Sequence, residues 1–259
     1  MSQWSALLQK EILEMWRNFK WIWVPITFIL IGVKEPLSSY YMPQIIDALG
    51  GLPKGAVIKL PEPSAADVLI KGVGQYNTIG VLIIVLATMG VIAAERKSGV
   101  AAMILVKPVS YASFVTAKWM GSFLLMLLSF FLGYLATWYY TGILFEWIPF
   151  NDFFGSFLLY GSWMMLIITI TVFFSSLFLV PGTAGFTSLA FVVLLSLISS
   201  ALSKWLKWSP SQLADYGNHL ISGASIPEGT WPSLMITGLS IIFLLVLSIA
   251  VFRKKELAL

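Results

Sequence analysis

The sequence predicts an all-α integral membrane fold, with six transmembrane helices behind an amphipathic interfacial helix and both termini on the cytoplasmic side. Three observations carry this. Of 259 residues, 58% are hydrophobic and 11% charged, less than half the roughly 25% charge of soluble domains. Apolar stretches recur at close to the about 20 residues that cross a bilayer as helix. The 16 Lys and Arg gather between alternate stretches instead of spreading evenly. The mean hydropathy of +0.88 leaves too little polar surface to coat a soluble domain of this size. A cytosolic globular enzyme, a disordered chain and a nucleic-acid binder are therefore excluded. With no Cys, a disulfide framework and a Cys metal site are excluded too.

The elements follow in order. Residues 1–20 do not read as a signal peptide: Glu11 and Glu14 precede the apolar run, and no small-residue cleavage site follows it. On a helical projection Trp4, Leu8, Ile12, Met15, Trp16 and Phe19 fall within about 120° of one another, with Lys10, Glu14 and Arg17 opposite. That is an interfacial helix. The first span covers residues 21–45, interrupted by Lys34, Glu35 and Pro36. Residues 46–75, rich in Gly and Pro, read as an external loop with a short helix after Ser64. The second span is 76–94, the third 119–145 and the fourth, free of charge, 153–180. Pro181 and Gly182 make a tight inner turn before the fifth span, 185–202. In the external segment 204–230, Ser209 and Pro210 read as N-cap and first position of a short helix that Gly223 ends. The sixth span is 231–252. No internal repeat is evident, and residues 1–259 read as a single membrane domain.

Orientation follows from the placement of Lys and Arg. With both termini inside, the inner face takes ten of them, at positions 10, 17, 20, 96, 97, 107, 118 and 253–255, and the outer face takes five. Four acidic residues lie inside and seven outside. The excess of positive charge is thus a topology signal with an affinity for anionic lipid, not a nucleic-acid footprint. Trp21, Trp23, Trp119, Trp138, Trp147, Trp205 and Trp231 stand near span ends, where aromatic belts form.

Catalytic chemistry is hard to place on this chain. The single His, His219, lies in the external segment. There is no G-x-S-x-G elbow, no H-E-x-x-H, no P-loop and no ligand cluster with metal spacing. The reading is therefore of a non-enzyme, with no catalytic, cofactor or metal residue. Lys34 and Glu35 either mark the outer edge of the bilayer, snorkelling to it, or line a pathway together with Asn77. The spans hold no chain of carboxylates of the kind that carries protons through a secondary transporter.

The connection after the second span, residues 95–112, is the most informative. Three basic residues within it, at 96, 97 and 107, and a fourth just beyond, at 118, surround the apolar stretch 100–106. Pro108 disfavours helix at Lys107, and Ser110 can cap the helix that follows. A short amphipathic helix projecting there suits a docking knob for a cytosolic partner, or else an interfacial helix facing lipid.

Here the sequence resembles a known family. Glu95-Arg96-Lys97, then Gly99, then Pro108-Val109-Ser110 and Ala117-Lys118-Trp119 are similar to the E-R-x-x-G, P-V-S and following Lys of type-2 ABC exporter permeases. Length, six spans, the interfacial helix and the outer short helix extend the likeness over nearly the whole chain. Val100 and Tyr111 depart from the Thr and Arg common in that pattern. The resemblance implies a coupling helix that seats in a groove of a separate ATPase subunit. It assigns that role to Glu95, Arg96, Lys97, Gly99, Lys107, Pro108, Ser110 and Lys118. It further implies two permease chains, identical or paralogous, two ATPase chains that bind the ATP and Mg, and a place in the bacterial inner membrane. An ion-coupled carrier or a scaffold without an ATPase is the alternative.

Overall fold

The computed structural model of the chain describes residues 3–48, 63–106 and 109–256. Among them there is no strand, and six helices are long and apolar enough to cross a membrane. The all-α integral membrane fold is as the composition predicts.

Helix α1 (Gln3–Arg17) ends where Phe19 takes a left-handed φ of 56°, which turns the chain into α2 (Lys20–Ala48). Helix α2 runs unbroken through Pro25, Pro36 and Pro43, so Lys34-Glu35-Pro36 does not interrupt it. Such prolines persist in membrane helices because neighbouring helices and local adjustments satisfy the freed carbonyls. The Gly- and Pro-rich part of the expected external loop, 49–62, lies outside the described residues.

The second span begins eleven residues earlier than its hydropathy suggests. Helix α3 (Ala65–Gln75) passes through a π-helical turn, Tyr76–Gly80, into α4 (Val81–Thr88), and a candidate span runs over Ala65–Lys97. Asp67 and Lys71 disguise the start. A capping box fixes it: the Ser64 hydroxyl accepts from the Asp67 N–H at 3.1 Å, and the Asp67 carboxylate accepts from the Ser64 N–H at 3.3 Å. Gly72, read as part of a loop, lies at a helix contact, where an added Cβ would come 2.7 Å from the Thr137 methyl.

A turn at residues 89–92 leads to α5 (Ala93–Lys97) and α6 (Val100–Leu105). Then come α7 (Tyr111–Leu144), α8 (Phe150–Leu177) and α9 (Pro181–Ala201). Ser110 caps α7 as expected, its hydroxyl accepting from the Ser113 N–H at 3.0 Å, and Pro181 occupies the first turn of α9. Helix α10 (Gln212–Ile221) ends before Gly223, whose φ is +68°. Its start differs from expectation. Ser209 does not cap it, because the Ser209 hydroxyl is drawn to the Ser199 hydroxyl of α9, and its carbonyl accepts from Ser233 Oγ at 2.8 Å. The last helix is α11 (Thr230–Glu256).

Helix α8, whose one charged residue is Asp152 in its first turn, is the most buried of the six and packs against α4, α7, α9, α10 and α11. The closest crossing joins α2 and α7. A methyl on Gly32 would overlap the Gly133 carbonyl, and one on Gly133 would overlap the Phe28 carbonyl. Small residues let two backbones approach this closely, which is how helices pack in an apolar solvent. The Tyr76 hydroxyl bridges the crossing, donating to the Phe28 carbonyl at 3.0 Å and lying 3.2 Å from Thr137 Oγ1. Helices α9 and α11 turn apolar faces outward, including Phe186 and Leu197, and Met235, Leu239 and Phe243.

Candidate functional site

The charge left out of the spans converges at one end of the bundle. Helix α1 lies on α7 with its Leu8–Glu11–Met15 side, and all three residues meet the surface at Gly121. This buries Glu11 at 4% exposure. Beside it on α7 is Lys118, at 1% exposure, and on α5 is Glu95, at 8%. The Lys118 ammonium stands 2.8 Å from Glu11 Oε1 and 2.9 Å from Glu95 Oε2. Lys10 closes the ring from the solvent side, pairing with the other Glu95 oxygen, with Glu11 at 3.1 Å and with Glu14 at 3.1 Å. Burial opposes the Lys10 charge, but the Glu95 hydrogen bond and the attraction of Glu11, Glu95 and Glu14 outweigh it. Its pKa is therefore raised above the usual lysine value. The Lys118 ammonium also lies 5.0 Å from the Phe114 ring centre.

The other side of the same connection is held by neutral groups. The Ser175 hydroxyl of α8 accepts from the Ile92 and Ala93 N–H groups, at 3.1 and 3.0 Å, and donates to the Met89 carbonyl at 2.8 Å. The Arg96 guanidinium donates to the Ser176 carbonyl at 3.0 Å, and Lys255 of α11 donates to the Leu177 carbonyl. These last carbonyls of α8 have no partner within their own helix, so cations from α5 and α11 cap them.

Beyond this anchored root the chain swings outward at Gly99, whose φ of +79° is left-handed and suits Gly. Helix α6 then lays Ala101 on the core, with Ile104 and Leu105 half-buried beside it, and turns Met103 outward at 72% exposure, with Val106 just past its end at 86%.

The residues singled out by sequence thus separate into two sets. Glu95, Arg96 and Lys118 face the interior and hold the root. Lys97 and Ser110 are exposed, and Gly99 is the joint. Lys107 and Pro108 lie outside the described residues. Of the three pathway candidates, Lys34 is exposed and Glu35 half-buried on α2. Asn77 is exposed on the π-turn, and its side-chain carbonyl accepts from Trp163 Nε1 at 3.1 Å.

Sequence reasoning counted Glu11 and Lys10 only as inner-face charges. The available signal was angular: Glu11 falls within about 60° of Leu8 and Met15 on a helical projection, so it belongs to the packed stripe. Ser175 and Lys255 carried no comparable signal.

Chemically, the arrangement is a lock and not a reaction centre. The carboxylates of Glu11, Glu14 and Glu95 approach within 4.8 Å of one another, but two ammonium groups lie among them and supply the counter-charge. His219 is exposed on α10.

Residues 72–250 match the ABC-2 family transporter proteins. The chain is also 34% identical over 251 residues to the uncharacterized transmembrane protein YxlG of Bacillus subtilis (strain 168), and the match covers 97% of each chain.

Proposed function

Since the chain belongs to the ABC-2 transporter family, as its transmembrane permease component and not a catalytic one, we propose that it forms the export pathway of an ATP-binding-cassette transporter. In this reading α5 and α6 are the coupling element, docked in a cytosolic ATPase subunit. Two ATPase chains hold the ATP and Mg, and a second permease chain, identical or paralogous, completes the pathway. The end of the bundle carrying α1, α6 and the end of α11 faces the cytoplasm of a bacterial cell. Helix α1 lies in the inner interface, its exposed Leu13, Trp16 and Phe19 continuing the outward apolar side of α2 into the lipid headgroup layer.

The observation that carries the reading is the contrast within residues 93–106. Beyond a left-handed glycine an apolar segment keeps Ala101 on the core and turns Met103 and Val106 outward, while its root is fastened to α1, α7 and α8. Such a part receives a push from a soluble partner and delivers it to the spans. Nucleotide that binds the closed ATPase pair more tightly than the open pair supplies the bias.

Purification of the tagged chain from its native membrane tests this. A stoichiometric P-loop ATPase is expected to copurify, and its ATP hydrolysis is expected to fall in Gly99→Pro and Met103→Glu variants that still insert. Reproducible absence of an ATPase would sink the reading and favour an ion-coupled carrier or a scaffold.

A further inference from the structure

We propose that Glu11 and Lys118 are positioning residues for the coupling element, so that α1, α5 and the first turns of α7 move as one body. This rests on the coupling role of α5 and α6, and it gives α1 a part in transmission beyond anchoring in lipid.

Three features of the ring carry the inference. First, one buried ammonium serves two carboxylates from two different elements. Glu11 comes from α1 and Glu95 from α5, and Lys118 stands between them at 2.8 and 2.9 Å. Neither carboxylate can leave without stranding charge away from water, which is the costly way to break a buried pair.

Second, the tie of α1 to α5 runs through the Glu95 carboxylate. Helix α1 packs its apolar surface on α2 and α7, with Met15 and Leu8 against Gly121. Lys10 then reaches across to Glu95 from the same helix that supplies Glu11. Glu95 is thus gripped from both faces of one carboxylate, by α7 through one oxygen and by α1 through the other.

Third, the direct pairs are few, because the neighbouring Lys20, near enough to Glu14 and Glu11 to feel their charge, donates instead to the Ala87 carbonyl at 2.8 Å. Three carboxylates (Glu11, Glu14 and Glu95) share two ammonium groups within the ring. Loss of Lys118 leaves Lys10, half-exposed and already engaged three times, as the cation in direct contact with Glu11 and Glu95 among the described residues. On the α8 side of the root, Ser175 and Arg96 bond backbone groups.

Hydrogen exchange on the purified full-length chain in lipid nanodiscs reads the clamp without any partner. In Lys118→Met and in the milder, isosteric Glu11→Gln, amides of residues 3–17 and 93–105 should lose protection together, by more than about tenfold. Amides of α8 should be unchanged, and Lys118→Arg should restore protection. ATP hydrolysis by the complex with its copurified ATPase should fall in parallel in the first two variants and recover with Arg.

Loosening of α1 with residues 93–105 still protected would overturn the proposal, as would lost protection with undiminished stimulation of the ATPase. If no ATPase copurifies even with the unaltered chain, the coupling reading fails, while the exchange data still decide whether α1 and α5 are joined through Lys118.

Discussion

Two junctions in this protein hold helices together by opposite means. At the crossing of α2 and α7, Gly32 and Gly133 bring backbone against backbone, and the polar contribution is one tyrosine hydroxyl and one threonine. At the root of α6, α1, α5 and α7 meet through five charged side chains. The first junction tolerates no added volume but carries no charge. The second has room for long side chains but depends on every charge having its partner. The difference follows the solvent. Within the hydrocarbon there is no hydrophobic drive between helices, so close packing of small residues joins them. Where water is near, paired ions can specify which elements meet.

Substitutions can break this contrast, and the largest effect is expected at the crossing. Gly133→Leu places a side chain where the Phe28 carbonyl and Tyr76 hydroxyl already are, so the helices must separate. Loss of folded, monodisperse protein in detergent is expected, and normal size-exclusion behaviour would contradict the packing. Glu95→Lys comes next. It removes the acceptor of both Lys10 and Lys118 and adds a third cation, so about 3–5 kcal/mol or more should be lost. A thermal melt followed by tryptophan fluorescence would show it. Tyr76→Phe at the crossing removes a bridging hydroxyl while keeping the ring, and about 1 kcal/mol is expected from the same melt. Lys34→Gln, on an exposed position of α2, should shift the melting temperature by no more than the ±0.5 kcal/mol or so typical of surface changes.

The pH dependence sharpens the comparison further. Lys10 has its pKa raised in the folded state, so its contribution is fully present below the ordinary lysine value and is lost only as pH rises through the raised one. Between pH 7 and 10 the Lys10 side of the clamp should therefore contribute no slope to stability, and a pronounced loss of Lys10-dependent stability in that interval, read against Lys10→Met, would contradict the ring geometry.

The sequence made the membrane fold readable because burial in lipid leaves its mark on composition along each helix. The Ser110 cap, the Pro181 turn, the Gly223 stop and the apolar stretch after Gly99 were readable because each is a local effect of side-chain shape or backbone freedom. The helix after Ser64 was readable too, but its continuity with the second span was hidden, because two charges and paired glycines imitate a loop. The true partners of Ser209 and Glu11 were hidden for another reason. Glu11 meets Lys118 across 107 residues of chain, and Lys10 meets Glu95 across 85. No local pattern records such a meeting, and a lone acid on an amphipathic helix looks solvated until its neighbour is placed.

That separation along the chain has a consequence for biogenesis. Helix α1 leaves the ribosome long before α7 exists to receive it. At the usual synthesis rate, about 5–20 residues per second, roughly 5–20 s pass between the emergence of Glu11 and that of Lys118. During this interval the nascent α1 has only Lys10, from its own helix, to pair with Glu11, and its apolar edge stays uncovered while two spans are threaded. The arrival of Lys118 then lets it settle inward, which makes the docking of the first helix a late step, gated by insertion of the third span.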